Sequence, residues 1–199
     1  MRTAVLALHY QNEVLHPEGR INLGVARDTD ASERVIAAAG TLLSGARSAG
    51  VPVISVRISF RPDHAEVIRN APIFRNVVAR GAMVEGSWGA DFVPELAPLD
   101  GEFVLHHTRI GAFTGTPLGE RLQALGVGHL IIGGVATNST VLTTAAQAVD
   151  LGWEVTIATD ACACADPAAQ AATLETLAHI AAIRPVADIV EGLSFRKPG

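Results

Sequence analysis

The chain has 199 residues, a length suited to one domain with a well-buried core. Its 49% hydrophobic content and mean hydropathy of +0.31 fit a sheet covered on both faces. No apolar run approaches the roughly 20 residues of a membrane span, and a formal charge of −5 with a pI near 5.8 argues against nucleic acid or an anionic membrane as partner.

In chain order, "MRTAVLALHYQNEV" carries one Arg and a short apolar run but no small-residue cleavage site, so it reads as a first strand, Ala4–Leu8, and not as a signal peptide. Residues 31–49 carry apolar positions at helical spacing and stop before Gly50. A second strand follows at Val51–Ser55. Residues 57–101 hold several prolines and glycines and few strand signals. A connection of that length in a compact domain is usually functional. It is expected to carry short helices, to line the site or a subunit interface, and to expose Ile73, Phe74 and Phe92. Phe103–His107 is the third strand. Thr116-Pro117 offers an N-cap and a proline at the first helical position, with Gly126 closing that helix.

The fourth strand, Leu130–Gly133, runs into "GGVATNSTVLTTA", a polar turn from which a helix opens at about Thr140. A helix start offers unpaired backbone N–H groups to an oxyanion, and α/β enzymes often place a nucleophile there. Glu154–Ala158 is the fifth strand. Cys162 and Cys164 are too close in sequence for an ordinary disulfide, which points to a reducing compartment and hence the cytoplasm. Asp166-Pro167 opens an alanine-rich helix to about residue 182, and Val186–Val190 is the expected sixth strand. The only lysine is Lys197.

Apolar runs alternating with helical patterns imply a three-layer α/β sandwich around a six-stranded, mostly parallel, doubly wound sheet. Ligands bind such sheets at the carboxyl ends of the strands. The residues there are His9, Tyr10 and Gln11 after the first strand, Arg57 after the second, His107 to Arg109 after the third, and Ala136 to Thr140 after the fourth. Two histidines and a threonine therefore meet at one edge by topology alone.

The blocks "VLALHYQNEV", "EGSWGADFVPELAP" and "TRIGAFTGTPLGERLQALGVGHLIIGGVATNSTVLTTAAQAVD" resemble the isochorismatase-like hydrolase superfamily, in its cysteine hydrolase and N-carbamoylsarcosine amidohydrolase-like branch. The resemblance spans nearly the whole chain as a single domain over 1–199. It implies a catalytic triad of Asp, Lys and Cys, whose positions here hold His9, His107 and Thr140. It also implies a cis peptide between Val135 and Ala136 that aims backbone N–H groups into an oxyanion hole, and assembly as a homodimer or homotetramer. No metal and no cofactor is implied, and the glycines at 133 and 134 lack the GxGxxG spacing of a dinucleotide site.

Several chemistries fit these replacements. His9 can serve as the base that activates the Thr140 hydroxyl, with His107 polarising the substrate or shuttling the proton. The two histidines can instead act as an acid–base pair on a bound small molecule or on water. Thr140 can simply orient substrate or hold the turn. Two histidines are also metal-ligand types, with His106 pointing away by strand alternation. Arg109 can reach a carboxylate. Trp88, Phe60 and Phe113 are candidate pocket walls, and Gln11, Val135, Ala136 and Thr137 complete the expected substrate-binding set. The reading is a small-molecule hydrolase, or a related acid–base enzyme, that does without the thiol. The alternative is a catalytically inactive homologue that binds a small ligand or acts through its oligomer.

Overall fold

The computed structural model describes residues 1–21, 25 and 28–194. The chain runs β1 (Arg2–Leu8), the single turn α1 (Asn12–Leu15), α2 (Thr29–Ser48), β2 (Val53–Ile58), α3 (Pro72–Arg80), β3 (Phe103–His107), α4 (Leu118–Ala124), β4 (Val127–Val135), α5 (Leu142–Asp150), β5 (Glu154–Ala163), α6 (Pro167–Leu177), β6 (Ala182–Arg184) and α7 (Val186–Ser194). All strand pairings are parallel, in the order β3-β2-β1-β4-β5-β6. The winding direction reverses between β1 and β4, which opens a crevice beyond the carboxyl ends of those two strands.

Strand alternation sorts the core into two layers. Val5 and Ala7 of β1 join the cluster that contains Leu42 and Leu43 of α2 and Val186 and Leu193 of α7. Ala4, Leu6 and Leu8 join the cluster with Leu118 of α4, Ala145 of α5 and Leu177 of α6. Leu6 and Leu8 have no exposed surface. Burial of a side chain of this size contributes roughly 1.5–3 kcal/mol, so the end of β1 is firmly held where the chain leaves the sheet.

The glycine pair that closes the β4 run has a packing reason. A Cβ at Gly134 would stand 2.5 Å from the Leu8 carbonyl oxygen, and one at Gly133 would stand 2.6 Å from the Tyr10 hydroxyl. That hydroxyl donates to the Ala161 carbonyl at 2.7 Å. Only glycine lets β4 and its neighbours approach this closely at the carboxyl edge.

Helix ends follow local chemistry. The Asp28 carboxylate accepts from the Ala31 N–H and caps α2, and Asp166 caps α6 through the Ala168 N–H, with Pro167 at the first position. α6 stops at Leu177, short of residue 182. At α4 the cap position falls on Pro117, and the Thr116 hydroxyl accepts from the Leu118 N–H at a long 3.4 Å.

The sixth strand is a correction. Val186–Val190 is the start of α7, and the edge strand is the short Ala182–Arg184 before it. Val186, Ile189 and Leu193 are spaced by three and four residues and bury one helical face against the layer holding α2. The run "VADIV" fits a strand by composition, but its burial follows the helical period.

The connection after β2 carries α3 and two single 3₁₀ turns, Trp88–Ala90 and Pro94–Leu96. Phe74 is buried, and Ile73 and Phe92 are partly covered. The exposed large apolar residues of this stretch are Ile68, Trp88 and Leu99. No helix among the described residues is long and apolar enough to cross a membrane.

Candidate active site

His9 is the first residue past β1. Its φ of 54° lies in the left-handed region, which a residue with a side chain seldom adopts and which ends the strand. Such a conformation costs on the order of 1–3 kcal/mol and persists where the surroundings enforce it. Here the His9 N–H still donates to the Val56 carbonyl at 2.9 Å, and the ring is buried. His107 ends β3, in register with Ile58 of β2, and is also buried. Thr140 lies in a five-residue π turn, Thr137–Val141, that leads from β4 into α5. The helix expected at about Thr140 therefore starts as this wider turn, with α5 proper from Leu142.

These three side chains form one line of contacts. Thr140 Oγ1 is 3.3 Å from His9 Nδ1, and His9 Nε2 is 2.5 Å from His107 Nε2. Burial, and then the neighbouring His107, hold His9 well below the usual histidine range. Burial chiefly, with a smaller push from His106, brings His107 from 6.5 to about 4, against an opposing effect of the Gly111 backbone. Both rings are thus neutral at pH 7, each with one N–H.

The partners then order the protons. His107 Nδ1 has no partner within hydrogen-bonding geometry, the Gly111 backbone favours a protonated His107 ring, and the short contact between the two Nε2 atoms has room for one proton. With that proton placed on His9 Nε2, His107 Nε2 is its acceptor and His9 Nδ1 is an acceptor for the Thr140 hydroxyl proton. The assignment comes from the network of partners. It gives a hydroxyl-to-imidazole-to-imidazole relay.

His9 and Thr140 line a small, partly open cleft at the switch point of the sheet. Its walls are largely apolar, with Ile73, Phe74 and Ile110 among them, and its other polar side chains are Ser139 and Arg109. Val135 and Ala136, joined by a cis peptide bond, also line it. His107 does not line the cleft and meets it only through His9. It is a positioning residue in this arrangement.

The other residues singled out in the sequence lie as follows. Gln11 is fully buried, and its carboxamide is spent on backbone: Nε2 donates to the Ile58 and Ala90 carbonyls, and Oε1 accepts from the Ile58 N–H. It ties the end of β2 to the Trp88–Ala90 turn and leaves nothing for a ligand. Trp88 is half exposed, packs edge-on against His16, and stands outside the cleft. Phe113 stacks on Trp153 at 5.3 Å, packed against the other core layer. Thr137 is buried with its hydroxyl unpartnered and does not reach the cleft. Arg109 does: its guanidinium lies over the Phe74 ring at 4.1 Å.

Two features escaped the sequence. Phe74 is a cleft wall, although its neighbours suggested an exposed position. Glu13, one residue into α1, is a buried carboxylate. It accepts from the Arg20 backbone N–H, the Arg20 Nε–H and the Met83 N–H, and so holds the Met83 wall of the cleft. A charged residue inside an otherwise buried turn, "NEVL", was the available signal. Cys162 and Cys164 are free and do not line the cleft, and burial pushes the Cys162 thiol up to about 12. Among the described residues no cluster of three or more His, Cys, Asp or Glu is arranged to hold a metal ion.

A doubly wound parallel sheet with a hydroxyl–imidazole contact beside a helix start at its switch point places the molecule in the α/β class whose ligands bind at the carboxyl ends of the strands. The isochorismatase domain matches residues 3–188, and the chain belongs to the isochorismatase family. It is similar to ureidoacrylate amidohydrolase RutB of Enterobacter sp. (strain 638), 27% identical with 96% of this chain and 89% of that protein covered. It is also similar to the isochorismatase family protein YecD of Escherichia coli O157:H7, 29% identical over 81% of this chain and 85% of the relative. Among solved structures, an isochorismatase family protein from Desulfovibrio vulgaris superposes with a TM-score of 0.85 at 26% identity, covering 98% of this chain and all of that one.

Proposed function

We propose that this protein is a small-molecule hydrolase that cleaves an amide-type C–N bond without a cysteine nucleophile. The observation that carries the reading is the unbroken relay from Thr140 Oγ1 through His9 to His107, with its hydroxyl end in the cleft. In this reading Thr140 Oγ attacks the substrate carbonyl carbon while His9 Nδ1 takes the hydroxyl proton. The C–N bond then breaks, His9 returns the proton to the leaving nitrogen, and water hydrolyses the Thr140 ester. His107 Nε2 accepts the His9 Nε2–H throughout and fixes the ring and its tautomer. RutB is an amidohydrolase by name, which makes ureidoacrylate and short N-carbamoyl amino acids the first substrates to try.

Ammonia release from that set tests the reading. Thr140→Ala is expected to lower kcat/KM by at least about 100-fold, and Thr140→Ser to stay within about tenfold of wild type. Wild-type turnover by Thr140→Ala would remove Thr140 as nucleophile and leave His9 acting on water. A second reading is an inactive homologue that binds a small ligand, favoured by the apolar cleft walls and by two rings that already satisfy each other. Ligand binding with no turnover across the set is its signature.

The proposal includes assembly as a homodimer or homotetramer in the cytoplasm, with the connection after β2 facing the partner. Ile68, Trp88 and Leu99 give that stretch three exposed apolar side chains. Light scattering at micromolar concentration is expected to read two or four times the 20.7 kDa of one chain. A mass of one chain would end this part of the proposal.

A further inference from the structure

The Arg109 guanidinium is a cation without a counter-anion in an apolar cleft. Its Nη1 is buried and has no hydrogen-bond partner, Nη2 donates to the Asn70 side-chain oxygen at 3.2 Å, and the group is fixed over the Phe74 ring at 4.1 Å. Among the described residues it takes part in no ion pair, and every other arginine ion pair lies elsewhere: Arg20 with Glu13, Arg47 with Glu102, Arg57 with Glu85, Arg61 with Asp63. Arginine stays protonated at any physiological pH. A buried donor left unpaired is costly, more so on a charged group. The same cleft holds His9 and Thr140, both neutral, so among the described residues Arg109 is the one charged side chain on its lining.

Resting on the hydrolase reading above, we propose that Arg109 is the specificity-determining residue of the cleft. It binds the carboxylate of a small substrate whose apolar body lies on Phe74 and Ile110. Three features favour a carboxylate. The planar guanidinium matches it with parallel N–H donors. Stacking on Phe74 sets the plane of those donors in advance, which reduces the ordering cost of binding. The unpartnered Nη1 shares the cleft with the Thr140 hydroxyl, so a short molecule held by its acid group presents its other end to the relay. A neutral amide of the same shape offers the guanidinium one acceptor in place of two, sets its NH2 against a donor, and brings no charge, so a site built around a carboxylate disfavours it.

Binding can be read without turnover, using crotonate and its isostere crotonamide as probes and ligand-observed NMR or calorimetry as the measurement. Wild type is expected to bind crotonate at least about tenfold more tightly than crotonamide. Arg109→Gln is expected to lose that preference. Arg109→Lys keeps the charge but not the fork, and is expected to retain only part of it. Circular dichroism of each variant separates a binding effect from misfolding, and Arg109→Lys serves if Arg109→Gln does not fold. Equal binding of the two probes by wild type, no detectable binding of either at 10 millimolar (about the weakest affinity the method reads), or an unchanged preference in both variants would overturn the proposal. Crotonate selectivity in a protein that hydrolyses nothing would leave Arg109 its role and defeat the hydrolase reading alone.

Discussion

Replacing His9 by alanine is expected to lower kcat/KM on any turned-over substrate by at least about 100-fold, the usual effect of losing a general base. The ring stands between the Thr140 hydroxyl and His107, so its removal cuts the relay in the middle. His107→Ala is expected to cost less, about tenfold and mostly in kcat, because His107 touches the cleft only through His9. His107→Gln, whose side-chain oxygen can accept the same Nε2–H, is expected to recover part of that loss. A residue that only filled space would show no difference between the two replacements.

The acid limb of the pH–rate profile separates these roles further. His9 acts only when neutral, and burial, followed by the charge on a protonated His107, holds it well below 6.5. Activity should therefore persist to a pH well under the usual histidine range. In His107→Ala one of the two causes is gone, so the limb is expected to move toward higher pH. An acid limb near 6.5 in wild type, or one that His107→Ala leaves in place, would show that the rings are not coupled in the working enzyme. Near-wild-type rates for His9→Ala would rule out the relay altogether.

The placement of this site was legible because topology alone brings strand ends together. A parallel sheet must carry its carboxyl-end residues to one edge, and His9, His107 and Thr140 follow β1, β3 and β4 or end them. What could not be read was depth. His107 and Arg109 are two residues apart, yet one sits behind His9 and the other on the cleft. Strand periodicity no longer holds once the chain leaves the sheet, so their directions had no sequence rule. Aromatic type was equally mute about layer. Phe113 turned to Trp153 and the far core, Trp88 to His16 and solvent, and Phe74 to Arg109. The carboxamide of Gln11 illustrates the remaining gap. A buried polar residue beside a site looks like a ligand contact until its backbone partners are known, and here three backbone groups use it up. The α7 segment was missed for a different reason: five residues with four apolar positions fit either period, and only the later Leu193 decides.

Acidification is expected to unfold the protein earlier than its carboxylates alone would explain, because of His107. Its usual value of 6.5 applies in the unfolded chain, and burial lowers it to about 4 in the folded one. Between those two values the unfolded state takes up a proton that the folded state refuses, so stability falls as pH falls. The contribution is fully present above pH 6.5, declines through the interval and is spent below about 4. A gap of this size corresponds to about 3 kcal/mol, a large part of the 5–15 kcal/mol that holds a typical domain together. His9, shifted in the same direction by burial, adds to the loss. Carboxylates such as Glu102, held low chiefly by its hydrogen bond to Arg47, lose their own contribution at lower pH, and they are common to wild type and variant. Urea unfolding of wild type and His107→Gln at pH 7.5, 5.5 and 4.5 isolates the histidine part as the difference between two curves. Wild type should lose stability more steeply across that range, with the two proteins drawing together by about 2–3 kcal/mol on the way down. Parallel curves would mean that the His107 ring already carries its proton at pH 5.5 in the folded state. A charged ring there could not accept the His9 Nε2–H, and the neutral relay would go with it.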